Sequence, residues 1–318
     1  MSKNLIYMTA VNHETSTFKN SDYAKYAKLS WKFWCKRNNI DFIVIDRHDD
    51  RYKFPVWNKD LIFEMFGDTY DKIGYVDSDT MVHWNAPNPF DLYTDEWCWV
   101  KDQANLRWTT ESINNYQRFY PNQTLDIYDY YNSGVSFFTK EHKPIFDNLI
   151  KLYENNSEEL DKCATMGGGK VQTLLNFELQ NHDIKVKELS PQWNMFSMHK
   201  REMFSHNWQD GEDKTPHFIK YSWIWHFTGF PIEDRTRIMK ETWEMTVNKN
   251  IVFIIAVKKD GQLKPEYEIG IESWRRWCKK NDVELFLLED PILPMEDMHI
   301  IWQRYFLFDI YDANKIRA

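Results

Sequence analysis

The residues best suited to chemistry lie between Tyr70 and Trp84, in YDKIGYVDSDTMVHW. An apolar run at Ile73, Tyr75 and Val76 leads into Asp77, Ser78 and Asp79, and then into Thr80, Met81 and Val82. The pattern predicts a buried strand that ends in two carboxylates one residue apart. Side chains alternate along a strand, so both carboxylates point the same way only at or just past its end. There, two hard oxygen ligands can share one divalent cation. Ligands of α/β sheets gather at such carboxyl ends, and an acidic pair with a cation suits a diphosphate. The plainer reading is that each aspartate bonds turn backbone at a strand end.

The flanking elements supply the frame. Leu5 to Met8 reads as a first strand. Tyr23, Ala27, Trp31 and Trp34 recur at helical spacing, and Asp41 to Asp46 reads as a second strand. This β-α-β unit favours parallel strands and a right-handed crossover. A second helix is expected at about Val56 to Phe66, ahead of the acidic strand. Further strands are expected at Trp97 to Val100, Val135 to Phe138 and Ile184 to Leu189, with helices at Lys143 to Glu154 and Lys170 to Gln180, and Lys220 to Phe227, with Trp223, Trp225 and His226, closes this region. Strands alternating with helices predict an α/β domain.

Composition narrows the class. A chain of 318 residues can bury a large core, and its 17% aromatic content, with fifteen Trp, exceeds what a core needs. The net charge of -8, without a basic stripe, argues against nucleic acid as a partner. Cys35, Cys98, Cys163 and Cys278 lack disulfide or zinc spacing and fit a reducing compartment. No apolar stretch matches a signal core or a membrane span, so a cytoplasmic protein is expected.

The chain also repeats itself. NLIYMTAV at Asn4 to Val11 returns as NIVFIIAV at Asn250 to Val257, and SWKFWCKRNN at Ser30 to Asn39 returns as SWRRWCKKND at Ser273 to Asp282. The pairs Trp31/Trp274, Trp57/Trp302 and Ile73/Ile316 hold nearly constant register, and Lys59 is matched by Arg304. Two parts are expected: a full domain over residues 1–248, and a partial second copy over 249–318 built as β-α-β-α. The counterpart of the acidic pair would begin past Ala318. The second copy therefore has no such site here, whether it is a remnant or a piece of a tandem protein.

Several pieces stand in a telling order: Lys59 before the acidic strand, YDKIGYVDSDTMV, YNSGVSFF, GKVQTLLN, ELSPQWN and WIWHFTG. Together, from Asn4 to about Met245, they resemble the family-eight glycosyltransferases of GT-A fold, the glycogenin and lipopolysaccharide galactosyltransferase group. The resemblance implies a Rossmann-like domain with a mainly parallel central sheet. It also implies transfer of a sugar from a nucleotide-sugar donor, usually a UDP-sugar, to a glycan or other hydroxyl acceptor, with retention. Asp77, Asp79 and His226 would hold Mn2+ or Mg2+, a cation that can neutralise a departing diphosphate; carboxylates with one imidazole suit Mn2+ better than a structural zinc. Alone, a histidine between Trp225 and Phe227 reads as a satisfied core residue.

Carried over in the same way, Thr9, Ala10, Val11 and Asn12 would seat the nucleotide base and Tyr23 would stack on it, with Ser78 alongside. Lys59 would touch the donor sugar or the first aspartate, and Asn132, Ser133 and Gly134 would line the sugar and acceptor side. Gly229 would let backbone approach the diphosphate. The family lysine that follows is absent, which leaves Arg235 as its stand-in. Gln172 falls near the reacting sugar carbon, but Val171 and Thr173 replace the family's neighbouring aspartates. Asp102 is a second acidic candidate for the sugar, or else a loop cap. With an amide at Gln172, front-face attack is favoured over a covalent intermediate. Gly167 to Lys170 lacks the phosphate-loop pattern and reads as a hinge. Acceptor choice is assigned to two loops, Leu106 to Tyr130 and Phe196 to Pro216.

Two rival readings remain open. VDSDT also fits the nucleophile motif of haloacid-dehalogenase-like phosphatases, although there it follows the first strand. The other rival is a degenerate transferase that only binds.

Overall fold

The structure is a computed structural model that describes residues 3–16, 22–165, 169–211, 213–247, 251–258, 262–280, 283–294 and 296–306. It divides into two compact units, Met1–Lys240 and Glu241–Ala318. Gly167, Gly168, Asp282 and Ile316 lie outside the described residues.

The first unit is a mixed α/β fold. The first β-α-β unit is β1 (Asn4–Thr9), α1 (Tyr23–Arg37) and β2 (Asp41–Ile45). Leu5, Ile6, Tyr7 and Met8 are all buried, as a strand covered on both faces requires. In α1, Tyr23, Ala27, Trp31 and Trp34 form the inward stripe. Asn39 then takes a left-handed φ of 54°, a conformation Asn tolerates better than most residues, and the chain turns into β2.

The second helix differs from expectation. Residues Pro55–Leu61 form a 3-10 helix, and only α2 (Ile62–Phe66) is α-helical. Next come β3 (Lys72–Asp77), β4 (Thr80–Val82) and β5 (Trp97–Lys101). The segment read as a loop from Leu106 is in fact α3 (Leu106–Tyr116), whose first turn is capped by Asn105 Oδ1 accepting from Trp108 N at 3.2 Å. After it run β6 (Tyr131–Thr139), α4 (Lys143–Thr165, broken at Asn156), α5 (Val171–Asn181) and β7 (Val186–Glu188). The closing stretch, Lys220 to Phe227, spans the end of α6 (His217–Tyr221) and β8 (Ile224–His226). The helix α7 (Ile232–Val247) carries the chain across the division between units.

The central sheet has the order β2-β1-β3-β6-β5-β7 and is mostly parallel, with β6 running antiparallel to both β3 and β5. A separate two-stranded sheet pairs β4 with β8. Much of the aromatic surplus is structural: Trp31, Trp34, Trp57, Trp97, Trp99 and Trp225 are fully buried, and Trp97 stacks on Phe138 with ring centres 4.6 Å apart. Among the described residues no helix is long and apolar enough to cross a membrane.

The second unit contains β9 (Ile251–Ile255), α8 (Pro265–Lys280) and β10 (Glu284–Leu288). Its two strands pair in parallel, with Ile251 opposite Glu284.

Candidate metal and donor site

Strand β3 delivers Asp77 at its last position, and the turn to β4 delivers Asp79. That turn is fastened on several sides. Thr80 Oγ1 donates to Asp77 O at 2.7 Å and accepts from Trp31 Nε1 at 3.0 Å, while Phe227 N donates to Asp79 O at 2.9 Å. In the small sheet Thr80 lies opposite His226, so strand pairing itself brings the imidazole beside the acids. His226 Nε2 stands 3.3 Å from Asp79 Oδ1 and 3.7 Å from Asp77 Oδ2. The three residues offer ligand atoms that all lie within 4.8 Å of one another.

The surroundings sharpen this geometry. His226 Nδ1 donates to Asn194 Oδ1 at 2.9 Å, which leaves Nε2 as the ring nitrogen that faces the acids. Tyr75 Oη donates to Asp77 Oδ1 at 2.5 Å. Gly134 leaves the room the triad needs: a Cβ there would sit 2.1 Å from His226 Cε1 and 2.8 Å from Asp77 Oδ2. Burial pushes the Asp79 carboxyl up, but the charges of His226 and Arg235 and the hydrogen bond to His226 outweigh it and hold the pKa at about 2. For His226, burial works downward, and the charge of Asp79, the hydrogen bond between them and the charge of Asp77 carry the pKa above its ordinary value. Two carboxylates and a correctly oriented imidazole fit a divalent cation.

A cavity of about 250 Å³ opens beside the acids. Of the residues expected around a donor, Thr9, Val11, Tyr23, Asp77, Ser78, Asp79 and Arg235 line it. Arg235 pairs with Asp79 at 3.0 Å, and its guanidinium lies 5.0 Å from the centre of the Tyr23 ring. Ala10 and Asn12 are not in this wall: Ala10 is buried and donates to Ile45 O, and Asn12 is exposed. Gly229 has open space where a Cβ would go, so a φ of 82°, not a close approach, is what calls for glycine there.

Behind this wall runs a buried polar network. Lys59 Nζ donates to Ser133 Oγ at 3.1 Å and lies over the Tyr75 ring, so it meets Ser133 and not the first aspartate. Gln172 Oε1 accepts from Ser133 N at 3.0 Å, and Gln172 Nε2 donates to Asp102 Oδ2 at 3.1 Å. Asn132 Nδ2 donates to the same carboxylate oxygen at 3.0 Å, and Asn132 Oδ1 accepts from Asn194 Nδ2 at 2.9 Å. Asp102 is therefore tied to His226 through Asn132 and Asn194, rather than capping a loop.

Three contributors were not singled out from sequence. Asn194 sits in the ELSPQWN piece, but its task depends on a residue far along the chain. Phe54 supplies an aromatic wall of the cavity. Lys170, read as the end of a hinge, also lines the cavity; burial lowers its pKa, and its ammonium lies 5.3 Å from the centre of the Phe54 ring. The glycines before it were the available signal.

No family model and no curated protein matches the chain. Among solved structures, it is similar to a glycosyltransferase involved in the glycosylation of the major capsid of PBCV-1, with 13% identity and a TM-score of 0.47 over 75% of this chain and 99% of that one. It is also similar to the WbbM bifunctional glycosyltransferase, with 14% identity and a TM-score of 0.47 over 75% of this chain and 49% of that one. A third similarity is to the galactosyltransferase LgtC in complex with donor and acceptor sugar analogues, with 16% identity and a TM-score of 0.42 over 74% and 95%. These are distant likenesses, and the chemistry of the site follows from its own residues.

Proposed function

We propose that this chain is a metal-dependent glycosyltransferase of GT-A type, moving a sugar, most simply a hexose, from a nucleoside diphosphate carrier to a hydroxyl of a glycan acceptor. The observation that carries the reading is the convergence of Asp77, Asp79 and His226, the two acids lying in the wall of a cavity that also holds Arg235 and Lys170. Mn2+ or Mg2+ held by the first three residues would supply charge neutralisation for a leaving diphosphate. UDP is the proposed carrier, with Thr9, Val11 and Tyr23 against the base.

The remaining roles belong to the chain itself. Arg235 and Lys170 are the cations available to phosphate oxygens, Arg235 through a planar fork and Lys170 through a half-desolvated ammonium. They would fill the place left by the missing family lysine. Lys59 and Ser133 would order the sugar side. Gln172 is held at both ends of its amide, and an amide makes no glycosyl ester. The proposed transfer is therefore a front-face attack with retention, in which the departing phosphate accepts the proton of the incoming hydroxyl. Residues 249–318 are proposed as a second copy of the opening part of the same fold.

Release of nucleoside diphosphate from a panel of nucleotide sugars, with Mn2+, Mg2+ or chelator, tests the reading. Turnover that needs the cation and is lost in Asp79→Ala is expected. Cation binding with no turnover of any donor would favour the binding-only alternative, and turnover of a simple phosphomonoester would favour the phosphatase.

A further inference from the structure

A second cavity, of about 470 Å³, opens at the carboxyl ends of the parallel neighbours β5 and β7, and shares no described residue with the donor cavity. Its wall includes Val100, Lys101, Glu188, Lys200 and Arg201. The charges of Lys101 and Glu188 are spent within the protein: Lys101 Nζ pairs with Glu188 at 3.2 Å and with Asp129 at 2.8 Å. Arg201 is different. Its guanidinium lies 4.9 Å from the centre of the buried Phe196 ring, and among the described residues no carboxylate pairs with it and no acceptor takes its side-chain N–H groups. Burial presses its pKa down, against a smaller upward pull from Asp102.

The partly exposed guanidinium of Arg201 presents five donors in a fixed fork toward the cavity, with no protein acceptor among the described residues to take them. An oxyanion satisfies two of them at once. Lys200, exposed and also without an ion pair among the described residues, adds a second cation at the mouth. Asp102 follows Lys101 in the chain, its charge acts on Arg201, and it accepts from Gln172 and Asn132, which links this cavity to the polar network behind the donor wall. Ligands of α/β sheets collect outside such strand ends.

We propose that this cavity binds an anionic group of the acceptor, a carboxylate or phosphate gripped by Arg201 and Lys200, so that the acceptor is an acidic or phosphorylated sugar. Calling the ligand an acceptor rests on the transferase reading; the anion site itself does not.

The test follows the Arg201 Nε–H resonance in the labelled full chain, assigned by its loss in Arg201→Lys, during titration with glucose, glucuronic acid and glucose 6-phosphate. These share one ring and differ at a single carbon. Saturable shifts with one or both anionic sugars and none with glucose are expected, and the tighter of the two identifies the anion. Arg201→Ala should weaken that binding by about tenfold or more, and Lys200→Ala, at an exposed position that folding does not need, by less. Equal response to glucose, no response to either anion, or unchanged affinity in Arg201→Ala would overturn the proposal. Donor hydrolysis by the unaltered protein, measured separately, tells a failed transferase reading apart from a failed anion site.

Discussion

The β-α-β segments of the two units share their construction and differ in their cover. In the first, Ala10 N donates to Ile45 O at 2.8 Å and Ile40 N to Cys35 O at 3.0 Å; in the second, Ala256 N donates to Leu288 O and Val283 N to Cys278 O, both at 2.9 Å. Trp31 meets Trp34 edge-on at 5.8 Å and 79°, and Trp274 meets Trp277 at 5.7 Å and 77°. Yet Trp31 and Trp34 are both 0% exposed, whereas Trp274 and Trp277 are 45% and 48% exposed. The reason lies outside the segment. Trp31 bonds to Thr80, Trp34 Nε1 donates to Ala86 O at 2.9 Å, and Val82 N donates to Ser30 Oγ. Strand β4 and the residues after it roof α1. The helical pattern is thus a local property of the segment, while the burial of α1 is supplied by elements outside it.

That contrast can be broken at several points. The largest effect is expected from Asp79→Ala, which should cut metal-dependent donor turnover on the order of 10³-fold. A cut of less than about tenfold, read as released nucleoside diphosphate, would mean that Asp79 does not hold the cation. Next, Trp31→Ala should cost about 4 kcal/mol in urea unfolding and Trp274→Ala less than about 1.5 kcal/mol, since only the first leaves a cavity. Equal costs would show that solution covers both helices alike.

A smaller effect separates the units by pH. Asp60 is buried, and burial, partly offset by the charge of Lys59, raises its pKa to about 7 from 3.8. A carboxyl with a raised folded pKa stabilises the fold fully below about pH 4, and this contribution is lost as pH rises to about 7. Asp60→Asn should remove that slope and raise stability at pH 8 on the order of 2 kcal/mol relative to the parent, read by denaturant melts at pH 5 and 8. The register of the repeat puts Tyr305, an exposed residue, at the corresponding place, so the dependence should belong to the first unit. Identical slopes in parent and variant would refute the assignment. The smallest contrast is expected at the cysteines. Burial raises the thiol pKa of both Cys35, where Asp41 adds to it, and Cys278. Alanine at either site should cost about 1 kcal/mol. Both thiols should resist alkylation at pH 7, and fast labelling of Cys278 alone would show that the second unit is loosely held.

Much of this could be read from the residues because apolar spacing is a local signal. The strands β1, β2 and β3 and the helix α1 were plain in continuous or periodic runs, and the acidic pair declared itself at a strand end. Helix α3 was not, because its buried stripe includes Thr109 and Ser112 as well as Ile113 and Tyr116. Those hydroxyls look solvent-facing in a sequence, but Ser112 Oγ bonds to Thr173 Oγ1 at 2.5 Å inside the core. The parting of β8 from α6 was hidden by apolar residues running through both. Asn194 and Lys170 escaped for a different reason: each matters through a neighbour brought close by folding, and no spacing rule encodes that.

The turn between Asp77 and Asp79 is stitched to α1, to β8 and to itself before any ion arrives. Ordering the oxygens is therefore a cost of folding rather than of loading. An ion entering there has to part Arg235 from Asp79, a movement of side chains that the surrounding main chain need not follow.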